Sequence, residues 1–233
     1  MKQIYWSLTA VVLFATGLNL NAATLALYDF TGSSLASSST DPNTTVSDFF
    51  TPRVSPVVGN WNSSVSGVDT SSGNPAPSYA WKPPGSTTTK AAAVSNDVYW
   101  SFDVDPDSGF TMDLDSITFD LSVANNARPM SYVLRSSLDN FASDIVGTEV
   151  VDLAAQGFTL TTLNLPSLDF DDLTNSVEFR LYTWSTAGGG SSGSAWRFDN
   201  ITLNGTVTVI PEPTSAALVA SAFGFLLLRR RKA

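Results

Sequence analysis

The chain contains no histidine and no cysteine anywhere in its 233 residues. Without histidine, the usual general base, Ser-His-Asp catalysis and histidine-ligated metal sites are all excluded. Without cysteine, there is no thiol nucleophile, and no disulfide supports the fold. Any catalysis would therefore have to rest on carboxylates alone.

Positive charge is scarce in the central part of the chain. Residues 23–210 hold 7 Lys or Arg against 20 Asp or Glu, which gives a net charge of −13. This balance argues against nucleic acid and anionic membrane surfaces as partners. It suits a soluble exported protein that attracts divalent cations, and the segment is long enough for one domain with a sizeable core.

Helical periodicity is missing from residues 23–210, and alternation of apolar and polar residues takes its place. The clearest example is SITFDLSV (116–123), in which every second residue is apolar. Alternation with one buried face is typical of antiparallel sheets. The sequence therefore predicts an all-β fold, an antiparallel β-sandwich that is jelly-roll-like. The predicted strands are 24–31, 98–104, 116–123, 131–137, 148–153, 158–165, 176–184 and 195–209.

Residues 32–95 are rich in Ser, Thr, Gly and Pro. A structureless loop of this length is unusual inside a compact domain, so one or two strands are expected there, near TVSDFF (45–50) and PVVGNW (56–61). At most one helical turn is expected after Ser137. The glycine-rich segment 186–195 predicts a hairpin loop between the last two strands.

The N-terminal end has the pattern of a secretory signal. Lys2 precedes an apolar run over residues 4–18, and the small residues Ala22 and Ala23 follow. This order predicts a signal helix and a signal peptide over residues 1–22, read by the general secretion machinery. An uncleaved N-terminal anchor is the alternative, because neither cleavage position has a small residue three places before it.

The C-terminal end begins with a Pro-Glu-Pro triplet. An uncharged segment, 214–228, follows the triplet, and four cations come next. As a helix of about 22 Å the apolar segment is short for a hydrocarbon core of about 30 Å, although flanking cations allow a short span. The cations hold this end in the cytoplasm. The residues concerned are Pro211, Glu212, Pro213, Arg229, Arg230, Arg231 and Lys232.

The two ends together resemble the PEP-CTERM sorting-signal proteins of Gram-negative and related bacteria. The resemblance covers about the last 25 residues and the N-terminal signal. It implies processing near the triplet by an exosortase-type membrane enzyme, and delivery from an inner-membrane intermediate to the cell surface or extracellular matrix, often with exopolysaccharide. The expected organisation is a signal peptide (1–22), a β-sandwich (23–209) and a sorting signal (210–233) with a membrane helix over about 214–228.

A β-bulge is predicted at Asp199–Asn200 in the last strand. The apolar residues on the two sides of this pair fall on opposite parities, and one extra residue would return them to one face. These apolar residues are Trp196, Phe198, Ile201 and Leu203.

The same segment resembles the final strand of extracellular jelly-roll domains, including carbohydrate-binding modules. In many of these an Asp near this place helps bind a structural calcium ion, together with an acidic residue of the first strand. The resemblance implies Asp199 and Asp29 as ligands, and Ca²⁺ prefers such oxygen donors. The alternative is that Asp199 only caps the bulge through backbone hydrogen bonds.

A second acidic motif is DVDPDSG, with Asp103, Asp105 and Asp107 at alternate positions. It departs from a calcium loop, because Ser108 occupies the place of the required glycine and Leu114 that of the final glutamate. The sequence favours a strand that ends in a tight turn.

Aromatic residues provide the candidate sugar contacts. In EFRLYTW (178–184), alternation places Arg180, Tyr182 and Trp184 on one face, where rings beside charged groups can stack on sugars. Trp61 and Trp81, in polar surroundings, are further candidates. The alternatives are a solvated outer face and a face covered by the long loop.

Catalytic carboxylates are few. Glu149 and Glu178 are the two glutamates of residues 23–210, and they lie on different predicted strands. Glycosidases need two carboxyl groups about 5–10 Å apart, and no pair is indicated. The sequence predicts a non-catalytic surface or matrix protein without a cofactor other than structural calcium. A carbohydrate-binding module is the alternative, and a carboxylate-only glycosidase is a distant third.

Overall fold

The structure, a computed structural model, describes residues 22–52, 67–69, 78–81, 87–123, 129–187 and 196–210. These residues form an antiparallel β-sandwich with two short helices, α1 (Lys90–Ser95) and α2 (Ser167–Phe170). The strands are β1 (Ala23–Tyr28), β2 (Ser39–Thr40), β3 (Thr44–Val46), β4 (Gly67–Asp69), β5 (Ser78–Trp81), β6 (Tyr99–Pro106), β7 (Phe110–Val123), β8 (Met130–Ser136), β9 (Val150–Leu153), β10 (Gln156–Asn164), β11 (Val177–Trp184) and β12 (Trp196–Val209).

The strand order is that of a jelly roll. The first sheet runs β10-β7-β12-β1-β2, with β5 and β4 added beside β12, and the second runs β3-β6-β11-β8-β9. Successive strands from β6 to β8 and from β9 to β12 alternate between the two sheets, as expected when two Greek keys are folded into a sandwich. The predicted all-β sandwich is confirmed.

The predicted hairpin between the last two strands is wrong. β11 lies in the second sheet and β12 in the first, so the glycine-rich connection carries the chain from one sheet to the other. Most of that connection, residues 188–195, lies outside the described residues.

The core lies between the sheets and is built by alternation. Along β7, the predicted inward residues are buried. Aromatic rings join the two sheets, since Trp100 of β6 lies 5.6 Å from Phe198 of β12 and 6.1 Å from Phe119 of β7, in edge-to-face geometry. Each such side chain stabilises the fold by roughly 1.5–3 kcal/mol through burial. The buried residues of β7 in this pattern are Ile117, Phe119, Leu121 and Val123.

The bulge in β12 is confirmed. Asp199 lies opposite Asp120 of β7 and Thr202 lies opposite Thr118, so β12 holds one extra residue there. Asn200 takes a left-handed φ of 50°, which accommodates the extra residue. The apolar residues on both sides of the bulge, Trp196, Phe198, Ile201 and Leu203, are therefore all buried.

A second irregularity lies at Gly205, where the register between β12 and β7 shifts again. β12 also pairs with β1 here, with Ala23 opposite Gly205. A β-carbon at position 205 would lie 2.2 Å from the backbone oxygen of Asp113. Glycine is therefore required for the close approach of β12 to β7.

The long polar segment contains more structure than its composition predicts. β3 confirms the strand expected near TVSDFF, whereas PVVGNW lies outside the described residues. α1 begins after Thr89, whose hydroxyl accepts the backbone N–H of Ala92 at 3.1 Å. The turn expected after Ser137 is present as a single 3-10 turn. The strands β2, β4 and β5 were not predicted.

The two ends lie outside the described residues, which begin at 22 and stop at 210. The predicted signal helix, the Pro-Glu-Pro triplet and the apolar segment therefore belong to the undescribed part. In the described part of the chain, no helix has the length and apolar character needed to cross a membrane.

Candidate functional site

The proposed sugar platform on β11 is not exposed. Tyr182 and Trp184 share a face as predicted, but they are only 2% and 3% exposed. The Tyr99 ring lies 5.1 Å from that of Tyr182, and α1 lies against β11. The backbone N–H of Ser185 donates to the Thr87 carbonyl at 3.2 Å, which fixes the covering segment beside the strand end. The expectation of an exposed outer face is wrong here, and the alternative of a face covered by the long polar segment is the one observed, since Thr87 and α1 belong to residues 32–95.

Arg180 belongs to the same covered face. Its guanidinium lies 4.6 Å from the centre of the Tyr99 ring and 3.7 Å from that of Phe141. It also donates two hydrogen bonds to Glu178, at 2.8 and 3.1 Å. The Arg180 guanidinium is therefore already hydrogen-bonded and stacked within its own chain, and few of its N–H groups remain to bind a sugar.

A group of ion pairs around Asp144 lies next to this covered face of β11. Asp144 accepts from Arg135 Nε at 2.6 Å and from Lys90 Nζ at 2.7 Å, and Lys90 also contacts Glu149 at 2.9 Å. The Arg135 guanidinium lies 5.7 Å from the Tyr182 ring centre. The ion pairs tie α1 to the β8–β9 side of the sheet. They are partly exposed, so each adds about 0–1 kcal/mol to stability.

The other two tryptophan candidates, Trp61 and Trp81, stay predictions. Trp61 lies outside the described residues. Trp81 ends β5, and its backbone pairs with that of Trp196 in β12. Position 81 is therefore part of the first sheet and not of a polar loop.

An open cleft lies instead at the β3 edge of the second sheet. After β3 the chain continues beside β6, where Phe50 and Ser101 exchange backbone hydrogen bonds of 2.8 and 2.9 Å. Alternation along this extended stretch turns Phe49 into the core and leaves Phe50 54% exposed. The cleft has a volume of about 570 Å³. Its lining residues are Leu35, Ser47, Asp48, Phe49, Phe50, Thr51, Tyr79, Ser101, Asp103 and Glu178.

The cleft combines an aromatic surface with hydrogen-bond acceptors. Asp48 and Asp103 contribute carboxylates, Glu178 lines the cleft while paired with Arg180, and Phe50 contributes an exposed ring. The cleft wall is held in place because the Tyr28 hydroxyl donates to the Ser47 carbonyl at 2.6 Å. Carboxylates accept hydrogen bonds from hydroxyl groups, and a ring contacts the apolar face of a sugar. A volume between 300 and 1,000 Å³ is typical of small-ligand sites.

Sequence reasoning missed this cleft. The signal was the Phe49–Phe50 pair at the end of TVSDFF, because consecutive residues of a strand point to opposite faces. One of the two rings therefore had to face away from the core. The pattern did not show that β6 and β11 would bring Asp103 and Glu178 to the same place.

Of the two calcium candidates, Asp199 lies in β12 and Asp29 follows directly after the neighbouring strand β1. β1 pairs with β12 up to Tyr28 and Ile201, which brings Asp29 near Asp199. Burial raises the pKa of Asp199 to about 6, and the carboxylates of Asp120 and Asp29 add to the rise. The three acidic groups therefore repel one another.

Each of these carboxylates also accepts a hydrogen bond from a nearby group of the chain. Asp199 accepts the backbone N–H of Asn200 at 2.8 Å, which is the bulge-capping alternative, and Asp120 accepts from the Asn200 side chain at 2.9 Å. Asp29 accepts the backbone N–H of Thr31 at 2.9 Å, and this bond holds its pKa below the ordinary value. In the described segments, no three acidic side chains converge as they would around a metal ion.

The second acidic motif forms a turn, as predicted. Asp103 and Asp105 lie within β6, and Asp107 begins the turn to β7. The backbone N–H of Phe110 donates to the Asp107 carbonyl at 3.0 Å, and Gly109 takes a φ of 91°.

Comparison with known proteins gives no family. No protein-family model and no curated protein matches the sequence. Among solved structures, the chain is similar to an arabinose-bound α-L-arabinofuranosidase, MgGH51, with 12% identity and a TM-score of 0.37 over 60% of this chain. The chain spans only 22% of the length of that enzyme.

A second similar structure is the K3 cleaved adhesin domain of Lys-gingipain from Porphyromonas gingivalis w83. Identity is 14% and the TM-score 0.38, over 78% of this chain and 98% of that domain. Similarity at this level supports no conclusion about function. The fold is described by the strand order of this chain alone.

Proposed function

We propose that this chain is an exported, non-catalytic β-sandwich protein of the cell surface or extracellular matrix, sorted by a PEP-CTERM-type ending. The supporting observation is the position of that ending. β12 ends at Val209, and the triplet begins at Pro211. Processing by an exosortase-type enzyme near the triplet would therefore release the whole sandwich with its last strand intact.

The glutamates support a non-catalytic role. Glu149 is paired with Lys90 and Glu178 with Arg180. A carboxylate glycosidase needs one group to protonate the leaving oxygen and another to act as nucleophile or base. Both glutamates are instead occupied by cations of the chain itself.

Intact-mass analysis of surface material tests the sorting proposal. The proposal expects a C-terminus near Pro211 in surface material and the full C-terminus in material from a Pro211→Ala/Pro213→Ala variant. A full-length C-terminus in every fraction would leave a simple anchor. A reporter fused after Ile210, beyond the last strand, should work only in an export-dependent assay, and cytoplasmic activity would contradict export.

A second candidate function is glycan binding at the β3-edge cleft. The observation that favours it is Phe50, whose exposed ring lines a cleft that Asp48 and Asp103 also line. Exopolysaccharide, rich in hydroxyl groups, is the ligand class that fits this lining.

Polysaccharide retention tests the second candidate. Phe50→Ala should remove retention on a polysaccharide column without lowering the melting temperature, because the ring is exposed. Leu168→Ala is the matched control, since Leu168 is 97% exposed at α2. Equal retention of both variants would exclude the cleft. Trp184→Ala is unsuitable, because removing a buried ring costs about 3–5 kcal/mol of stability.

A further inference from the structure

One edge of the first sheet is formed by a long strand, β10. β10 spans nine residues, about 30 Å of strand, and pairs with β7 on one side. Its pairing is regular from Thr159 to Asn164. In the described part of the chain, no strand covers its other side. Such an edge presents a row of backbone donors and acceptors that another strand can complete.

The other edges of the sandwich are short or interrupted. β2 has two residues, and β3 and β4 have three each. β9, the edge of the second sheet nearest in sequence, has four residues and a register shift against β8. Its Asp152 carries a charge and a φ of 54°. Charges, irregularity and short length are the usual protection of sheet edges. β10 has a register shift between Gln156 and Thr159, but its six residues from Thr159 to Asn164 are regular and uncharged.

Charged side chains are also absent from β10 and from the residues that flank it. Residues 153–168 contain no Asp, Glu, Lys or Arg, although the chain has a net charge of −9. Two copies of an acidic protein repel each other over most approaches. At the β10 edge, residues 153–168 of two copies would face each other without like charges in contact.

We propose that β10 pairs antiparallel with β10 of a second copy, about a two-fold axis at Leu160. Leu160 is 67% exposed, and this register places it against Leu160 of the second copy. The same register sets Thr159 opposite Thr161 of the other copy, and Thr–Thr pairs are favourable across strands. The first sheets of the two copies then form one continuous sheet, closed by the two-fold axis.

The nearest charges on this edge do not prevent the pairing. Asp120 of β7 lies opposite Leu160 of β10. In the proposed sheet, Asp120 and its counterpart are separated by three strand spacings, about 14 Å. That distance exceeds the screening length of about 8 Å at physiological salt. The ladder buries less surface than a standard interface, so the association is weak and depends on concentration.

Single cysteines in the full chain test the register, because the natural chain has none. Leu160→Cys should give a disulfide-linked dimer under copper-phenanthroline oxidation in detergent, since opposite residues lie about 4.5–5.5 Å apart at Cα. Thr162→Cys should stay monomeric, because four residues of strand separate it from its counterpart by about 13 Å. Ser39→Cys, exposed on the β2 edge, is the control for random collision.

A charge substitution tests the same edge without cross-linking. Leu160→Lys should abolish the concentration-dependent increase in mass seen by light scattering, with an unchanged melting temperature. Leu168→Lys, also exposed but in α2, should leave association intact. Equal cross-linking at positions 39, 160 and 162, a monomer at all concentrations, or open-ended fibres would each overturn the two-fold pairing.

Discussion

The guanidinium of Arg180 lies 3.7 Å from the centre of the Phe141 ring. Phe141 reaches this place through a loop in which it and Asn140 both take a left-handed φ of 59°. Asp139 fixes the loop by accepting the backbone N–H groups of Ala142 and Ser143, at 3.1 and 2.8 Å. The face of β11 is thus closed by a ring from a different part of the sequence.

Arg180→Lys should destabilise the domain by about 1–2 kcal/mol, because lysine loses the paired hydrogen bonds to Glu178 and the planar stacking. The expected fall in melting temperature is roughly 2–4 °C for each kcal/mol. Phe141→Leu should cost a similar amount. In a double-mutant cycle the two losses should not add, and full additivity would show that the ring and the guanidinium act independently.

Gly205→Ala should destabilise the domain by about 2 kcal/mol or more, because the new methyl group meets the Asp113 backbone oxygen. Gly157→Ala is the matched control, since no atom lies within 4 Å of a β-carbon there. It should stay within about 0.5 kcal/mol of the natural chain. Chemical denaturation of both variants is the measurement, and equal midpoints would contradict the close approach.

Asp199→Asn should stabilise the calcium-free domain at pH 7. The folded pKa of Asp199, about 6, lies above the ordinary value for an aspartate. A raised pKa means that the folded state holds the proton more tightly, so this group's contribution to stability is lost as the pH rises from about 4 to about 6. Asparagine keeps the contact with the Asn200 N–H and removes the charge.

The expected gain from Asp199→Asn is roughly 1–2 kcal/mol above pH 6, after allowance for partial solvent screening. It should vanish near pH 4. Asp105→Asn, at an exposed position of β6, is the matched control for the removal of one negative charge. A constant difference between pH 4 and pH 7 would contradict the raised pKa.

Structural calcium between Asp29 and Asp199 stays a prediction. A shared ion would cancel the repulsion between the carboxylates, and excess chelator would then lower the melting temperature by roughly 5–10 °C. Magnesium should rescue poorly, because it demands tighter octahedral geometry. Asp199→Asn should remove the calcium response. Identical melting curves with calcium and with chelator would leave Asp199 as a bulge-capping residue.

The strands could be predicted from the sequence because alternation is a local property. The parity change around Asp199 was enough to predict the bulge, and the pattern of β7 identified its buried face. The burial of Tyr182 and Trp184 could not be predicted in this way. They are covered by α1 and by the loop at Phe141, which are distant in sequence. Alternation along a strand does not indicate which other segments pack against its outer face.

The pairing of β1 with β12 has a mechanical consequence. Ala23 lies beside Gly205, so both ends of the domain leave the sandwich at the same end of one antiparallel ladder. Tension between these ends loads the interstrand hydrogen bonds one after another, and β1 peels away at low force. Tension between one of these ends and a different part of the sandwich does not load this ladder in the same order.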